Sequence, residues 1–312
     1  MSKTLHIDQQ SKGNDPRHLM GMVTHHKCGT IWMKRIQRDM SAKWDIPMVG
    51  MWSKFALNRL PKTGSAFVVN WSGWFPEDLW QMREFRSVHL IRDPRDVLLS
   101  GCQYHHFAPE GGEAFLYEPR DDLNGLSYQN HLCQLESYEE KLLFEMREKH
   151  AQTFAEMVAI STTDAAILQL RYEDVIQDEK MTTFDTVLRH WQLKEDRTQE
   201  AHQIIWNNSL FGRLASPDAR DGRISMHVLS GASVRWGKEL PRAIGEIYAR
   251  EFGDALIALG YEKDHSWVSR LPVDPVPFNL EEADDEPPSY ICLLYTSPSP
   301  RDATLSRMPS SA

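Results

Sequence analysis

Cysteine is scarce in this sequence and unpatterned. The 312 residues include four, Cys28, Cys102, Cys133 and Cys292, and none stands in a CxxC pair. Neither a zinc site nor a dithiol redox motif is signalled, and thinly spread cysteine fits a reducing compartment. Long apolar runs are missing too. No stretch approaches the ~20 apolar residues that span a bilayer. The opening segment MSKTLHIDQQSKGNDPRH lacks the apolar centre of a secretion signal. The expectation is a cytoplasmic protein with no membrane partner. Positive charge is also in deficit: 35 Lys and Arg against 44 Asp and Glu leave a formal net charge of −9. That argues against a general nucleic-acid binder, which is normally basic. An anionic small ligand remains open, because a pocket can be locally positive. Residues 17–38 hold Arg17, Lys27, Lys34, Arg35 and Arg38 and no Asp or Glu.

What is present is an ordinary globular composition, 41% hydrophobic and 25% charged, enough for one large α/β domain. Leu19 to Val23 reads as a buried strand, followed by the loop THHKCGT. From Ile31 the residues Ile31, Trp32, Arg35, Ile36 and Met40 fall at helical spacing. A second strand is expected in FRSVHLIR at 85–92. Asp93 then suits an N-cap and Pro94 a first helical position, so a helix should begin directly after Arg92. Residues 127–150 read as one long amphipathic helix, AILQLRY at 166–172 as a third strand, and 242–261 as a further helix. Phe184, Val187, Leu188 and Trp191 share one face of another. Strands alternating with helices imply a parallel sheet covered on both faces. The Pro-rich, acidic stretch 271–291 reads as a tail, as does the frayed, polar 1–16. Residues 292–312 resemble the translated read-through of a sequencing adaptor. The domain proper is expected within 17–270.

Two constellations carry chemistry. The first is the loop Thr24-His25-His26-Lys27-Cys28-Gly29-Thr30 between a strand and a helix. An anion there meets free backbone N–H groups and the positive end of a helix dipole. Gly29 permits close approach, Lys27 supplies a point charge and Thr30 a hydroxyl. The physics says phosphate or sulfate. A nucleotide-triphosphate loop would need Gly directly before Lys, and His26 stands there. A plain strand-to-helix turn with a surface lysine is the bland alternative. The second constellation is Arg92 at a strand end and Ser100 on the helix that follows. Six residues past Pro94, Ser100 lies ~9 Å along the axis. Arg92 can fork onto a phosphate and Ser100 can add a donor.

Together these motifs resemble the 3′-phosphoadenosine-5′-phosphosulfate (PAPS)-dependent sulfotransferases. THHKCGTIW is similar to that family's TYPKSGTTW, matching at Thr24, Lys27, Gly29, Thr30 and Trp32, with Cys28 and Ile31 in place of Ser and Thr. HLIRDPRDVLLSGCQYH resembles its 3′-phosphate site, with Arg92 and Ser100 at the family's spacing. LQLRYEDVIQD resembles its adenine-contacting segment through Tyr172, and SLFGRL a second one through Ser209 and Phe211. HVLSGASVRWGKELP aligns at Gly231 and Trp236. The family's Arg-Lys pair is Leu229-Ser230 here, with Arg223 and Arg235 as nearby replacements.

The resemblance implies a single P-loop-like α/β domain with a central parallel sheet flanked by helices. It implies PAPS as sulfuryl donor, a small-molecule acceptor and no metal. Lys27, Cys28, Gly29, Thr30, Ile31 and Trp32 would hold the 5′ end of the donor. Arg92 and Ser100 would hold the 3′-phosphate, and Tyr172, Ser209, Phe211 and Gly231 the remainder. Lys27 would act on the bridging oxygen. The family's general base lies 22 residues before the arginine, where this chain has Asn70, and Asn cannot take a proton. His25, His26, His105 and His106 are the candidate replacements, and His105 is preferred. Trp71, Trp74, Phe75 and Trp80 offer either an acceptor wall or core. Two other functions stay open: a catalytically inactive PAPS-binding protein and a P-loop kinase.

Overall fold

The alternation along the first strand explains the architecture. In β1 (His18–Val23), Leu19 and Val23 join one apolar cluster with Val49, Val68 and Phe85, while Met20 and Met22 join another with Ile36, Phe67 and Trp191. A strand buried on both faces belongs inside a parallel sheet covered by helices. The computed structural model describes residues 17–109, 113–160, 164–221 and 234–275. Within them β1, β2 (Met48–Gly50), β3 (Ser65–Asn70), β4 (Phe85–Ile91) and β5 (Ile167–Arg171) form one parallel sheet in the order β2-β3-β1-β4-β5. The fold is α/β, as expected.

The helices are α1 (Thr30–Trp44), α2 (Glu77–Trp80), α3 (Pro94–Phe107), α4 (Tyr128–Gln134), α5 (Tyr138–Glu145), α6 (Ala151–Ala159), α7 (Tyr172–Val175), α8 (Thr182–His190) and α9 (Thr198–Asn207). Among the described residues two more follow, Trp236–Glu239 and Arg242–Ala258. α1, α8 and α9 contribute to the cluster on one face of the sheet. α3, α5 and Arg242–Ala258 build another around Leu98, Leu142, Tyr248 and Trp267. α3 begins as the sequence predicts: Asp93 accepts a hydrogen bond from the Arg95 N–H at 3.0 Å, and Pro94 opens the helix.

Two expectations change. Residues 127–150 are not one helix. Ser137 starts α5 with a reciprocal capping box to Glu140, which separates it from α4. A π-helical turn, Met146–His150, then joins α5 to α6. β2 and β3 are strands that the sequence reading passes over: β2 has three residues, and SAFVVN in β3 is buried on both faces and shows no polar alternation. The segments 1–16 and 276–312, which include most of the acidic tail and all of the adaptor-like terminus, lie outside the described residues.

Strand register aligns the working ends of the sheet. Val23 stands opposite Asn70 of β3 and His89 of β4. The chain visits β2 and β3 on one side of β1, then crosses to β4 on the other. The carboxyl ends of β1 and β4 therefore flank a topological switch point, where open α/β sheets bind ligands.

Trp191, buried at the end of α8, ties a helix to β1. Its Nε1 donates to the Gly21 carbonyl at 2.9 Å and its ring packs edge-on against Phe67. Trp191→Ala should lower unfolding stability by about 3–5 kcal/mol, measured by urea titration.

Candidate active site

The loop 24–29 leaves β1 and turns back into α1 by its own hydrogen bonds. The Thr24 N–H donates to the Asn70 carbonyl at 3.2 Å, and the Cys28 N–H to the His25 carbonyl at 3.1 Å. The Thr30 hydroxyl donates to the same carbonyl at 2.9 Å and lies 2.8 Å from the Thr24 hydroxyl. The turn requires two left-handed residues, Lys27 (φ 61°) and Gly29 (φ 84°). At Gly29 a Cβ would also stand 3.1 Å from the Tyr172 ring, so glycine answers both constraints. No side chain caps α1. The N–H groups of Thr30, Ile31 and Trp32 precede the first intrahelical bond, which runs from Met33 to Gly29. They point outward at the positive end of the helix dipole.

Lys27 follows this rim. Its Nζ lies 3.8 Å from the centroid of the Tyr104 ring on α3. Burial lowers the ammonium to about 7; Glu113 opposes the shift and Arg92 adds to it.

Arg92 closes the other side. It is 8% exposed at the end of β4. Its Nη1 donates to the Lys27 carbonyl at 3.1 Å, and its guanidinium sits 4.9 Å from the centroid of the Tyr172 ring. Its Nε is buried with no partner among the described residues. Ser100, partly exposed on α3, lies nearly two turns further on. Asp96, between them in sequence, accepts from the N–H groups of Arg235 and Trp236, both at 2.9 Å. Burial raises its carboxyl to about 7 while Arg92 opposes.

Three of the expected aromatic residues come together. The Trp32 ring centre lies 6.1 Å from that of Tyr172 and 6.3 Å from that of Phe211, edge-on to both. The Trp32 Nε1 is another buried donor without a partner among the described residues. Other predicted groups point elsewhere. The Cys28 side chain packs into the core beside Ile91 and Val97, and burial pushes its thiol up to about 12. The Ser209 hydroxyl is fully buried and donates to the Ile205 carbonyl at 2.6 Å. Gly231, Leu229, Ser230 and Arg223 lie outside the described residues.

Asn70 is structural. Its Nδ2 donates to the Met51 carbonyl at 2.7 Å, and its Oδ1 accepts from Ser72 and Trp74 N–H groups. Of the aromatic stretch after it, Phe75 is core, packed on Trp80 and Phe85, and Trp74 is exposed. The candidate histidines form two pairs. His25 and His89 meet inside the protein, Nε2 to Nε2 at 2.7 Å. His26 meets His105 in the same way at 2.9 Å, the rings stacked at 16°. His105 is fully buried, and its Nδ1 lies 2.7 Å from Glu145. Both of its nitrogens are engaged by side chains, Nε2 by His26 and Nδ1 by Glu145. Nothing local in the sequence signals this contact, because Glu145 is 40 positions from His105 and on another helix. His106 faces Cys133 instead, at 3.4 Å.

Among the described residues no helix is long and apolar enough to cross a membrane. No group of three or more His, Cys, Asp or Glu there is arranged to hold a metal ion. No protein-family model matches the sequence, and no curated protein matches it. Solved structures of similar architecture include that of mouse sulfotransferase SULT7A1 complexed with PAP. It is 16% identical, covers 79% of this chain and 90% of that one, and has a TM-score of 0.45. Another is retinol dehydratase in complex with androsterone and inactive cofactor PAP, 14% identical over 76% and 80% of the two chains, with a TM-score of 0.43.

The depressed lysine gives a measurable signature. In the ligand-free protein, Lys27 should lose its proton near pH 7, far below an ordinary lysine, in an NMR titration of its side chain. Glu113→Gln, by removing the opposing charge, should move the midpoint lower still. The folded-state pKa is lowered, so the unfolded chain holds the extra proton above that point. This group therefore adds stability as pH rises from about 7 toward the normal lysine range.

Proposed function

We propose that this chain is a sulfotransferase that takes a sulfuryl group from PAPS, passes it to a small hydroxyl or amine acceptor, and releases adenosine 3′,5′-bisphosphate. The observation that carries the reading is the pair of cationic corners at adjacent strand ends. Lys27 and the α1 N-terminus follow β1, Arg92 follows β4, and Arg92 is bonded to the Lys27 carbonyl. Two separated anionic groups on one ligand match two such corners.

The residues present fit that donor. The site offers N–H donors at the α1 terminus, the unpartnered Arg92 Nε, and the unpartnered Trp32 Nε1 beside an aromatic cluster of Tyr172 and Phe211. In this reading the α1 rim and Lys27 hold the 5′-phosphosulfate, Arg92 and Ser100 the 3′-phosphate, and Trp32, Tyr172 and Phe211 the base. Cys28, Gly29 and Ile31 contribute through the backbone of the loop and its helix start. Ser209 braces the segment that carries Phe211. The donor supplies an already activated sulfuryl group.

What the protein adds is positioning and charge. Lys27 faces the bond that breaks and offsets the negative charge growing on the bridging oxygen, an effect that preorganised donors provide strongly in a water-poor site. A lysine poised near neutrality also responds to its ligand. An anion beside it raises its pKa, so the ammonium is restored where it is needed.

Asn70, fully engaged at the family's usual base position, favours a second reading in which the chain binds PAPS without turning it over. Calorimetry separates the outcomes. Adenosine 3′,5′-bisphosphate should bind in preference to ATP and AMP, and Arg92→Ala should weaken it by roughly tenfold to a hundredfold, the worth of one or two hydrogen bonds to a charged group. Equal binding of ATP or AMP, or no effect of Arg92→Ala, would sink the reading. Bisphosphate binding with no turnover of PAPS on any acceptor selects the inactive binder.

A further inference from the structure

We propose that the loops after β2 and β3 form a docking surface for a bilayer with anionic headgroups, in which Trp52, Phe55 and Trp74 enter the interfacial zone and Lys54 and Arg59 face the headgroups. The surface is separate from the proposed nucleotide site and does not depend on the sulfotransferase reading. It adds a membrane partner where the sequence reading expects none. A peripheral contact of this kind needs no spanning helix.

The rings are held outward by the way the chain leaves the sheet. After β2 the chain turns into a short 3₁₀ segment, Lys54–Arg59. Ala56 and Leu60 seat this segment, buried in the cluster with Val49, Met51 and Val68. Phe55, next to Ala56, is left 83% exposed. The Trp52 ring lies over Gly50: a Cβ there would stand 2.5 Å from the Trp52 Nε1. Arg59 returns to the same residue, its Nη2 donating to the Gly50 carbonyl at 2.6 Å. A ring and a guanidinium are thus both fixed at the carboxyl end of β2, an edge strand of the sheet among the described residues. Asn70 ties in the third ring. Its Nδ2 holds the carbonyl of Met51, the residue before Trp52, and its Oδ1 accepts from the Trp74 N–H at 3.2 Å. Trp52 and Trp74 are 40% and 42% exposed. Three large rings on two tied loops are a patch rather than scattered apolar surface, and such patches mark interaction sites.

Charge selects the occupant. The chain has a net charge of −9, yet residues 46–76 hold Lys54, Arg59 and Lys62 and no Asp or Glu. Lys62 stands further off, near the amino end of β3. Neither Lys54 nor Arg59 has a carboxylate within ion-pair distance among the described residues. Glu156 of α6, packed on Gly73 beside Trp74, is turned to Gln152 at 3.0 Å and His25 at 4.0 Å. Glu77 and Asp78 follow only with α2. Salt screens exposed charges beyond about 8 Å at physiological strength. The cationic stretch therefore meets an anionic surface without bringing the acidic remainder of the chain against it. Trp and Phe beside Lys and Arg are the residues of segments that lie in a membrane interface. Two copies of this chain meeting about a two-fold axis would set the same cations against each other. A ring as exposed as Phe55 walls no small-molecule pocket.

Flotation of the full chain tests this, with vesicles of phosphatidylcholine alone and of phosphatidylcholine with about one third phosphatidylserine. The chain should bind the anionic vesicles, bind the neutral ones at least about tenfold more weakly, and lose affinity as salt is added. Lys54→Gln combined with Arg59→Gln should weaken binding to the anionic vesicles by roughly tenfold or more. Phe55→Ser should weaken it by roughly tenfold through lost apolar burial. All three positions are exposed, so an unchanged melting curve is expected and confirms that the variants are folded. No binding to anionic vesicles overturns the proposal, as does equal binding to neutral ones. Binding that survives both variants overturns it too, by placing the contact elsewhere on the chain. Self-association that Phe55→Ser abolishes, without vesicle binding, assigns the patch to a second copy and overturns the bilayer.

Discussion

Arg92 donates to the carbonyl of Lys27, and in doing so it joins the ends of two strands that are neighbours in the sheet but 65 positions apart in the chain. The bond is available because Lys27 adopts a left-handed conformation, which turns its carbonyl toward β4. Gly29, left-handed as well, then brings the chain into α1 under the Tyr172 ring. The two cationic corners are consequently one rigid unit. Their separation is set by strand spacing and one hydrogen bond rather than by the rotamers of long side chains.

Behind this unit lies a buried ionic frame. Arg95 pairs with Asp93 and Glu262 and lies flat against Trp236 at 3.5 Å. Glu173, in the short helix α7 that follows β5, accepts from the Asp93 N–H at 2.8 Å and from the Tyr261 hydroxyl. These contacts fix the start of α3, and with it Asp96 and Ser100. Burying one charge without partners would be severely unfavourable. Here each carries hydrogen bonds to a charge, a backbone group or an aromatic face. The carboxylates of an acidic chain thus satisfy the frame, while the buried Arg92 Nε keeps no partner among the described residues.

Local chemistry made much of this legible in the sequence. Asp93-Pro94 signals a helix start, and Lys27-x-Gly29-Thr30 after an apolar run signals the strand-to-helix loop that the structure shows between β1 and α1. Trp32, Tyr172 and Phe211 were each weak signals, and the fold gathers them. What the sequence hid is tertiary. The Cys28 and Ser209 side chains point inward because the chain around them is already committed to internal hydrogen bonds. β3 was hidden by burial on both faces, which removes the alternation that marks a strand. The His26–His105–Glu145 series spans the loop, α3 and α5, and no spacing rule links them. Asn70 illustrates the reverse: the sequence excludes it as a base, and the structure supplies its role as a clasp for the turn after β3.

The second histidine pair has a different consequence. His25 lies in the loop after β1 and His89 within β4, and they touch through their Nε2 atoms in the interior. Burial lowers both, His89 to about 3. An unfolded chain protonates its histidines near their ordinary value of about 6.5, whereas this pair resists protonation while folded. Between those limits the unfolded state binds more protons, so acidification draws the equilibrium toward it. The loop after β1 is thereby held to the sheet by a histidine contact that weakens the fold as pH falls below the ordinary histidine range.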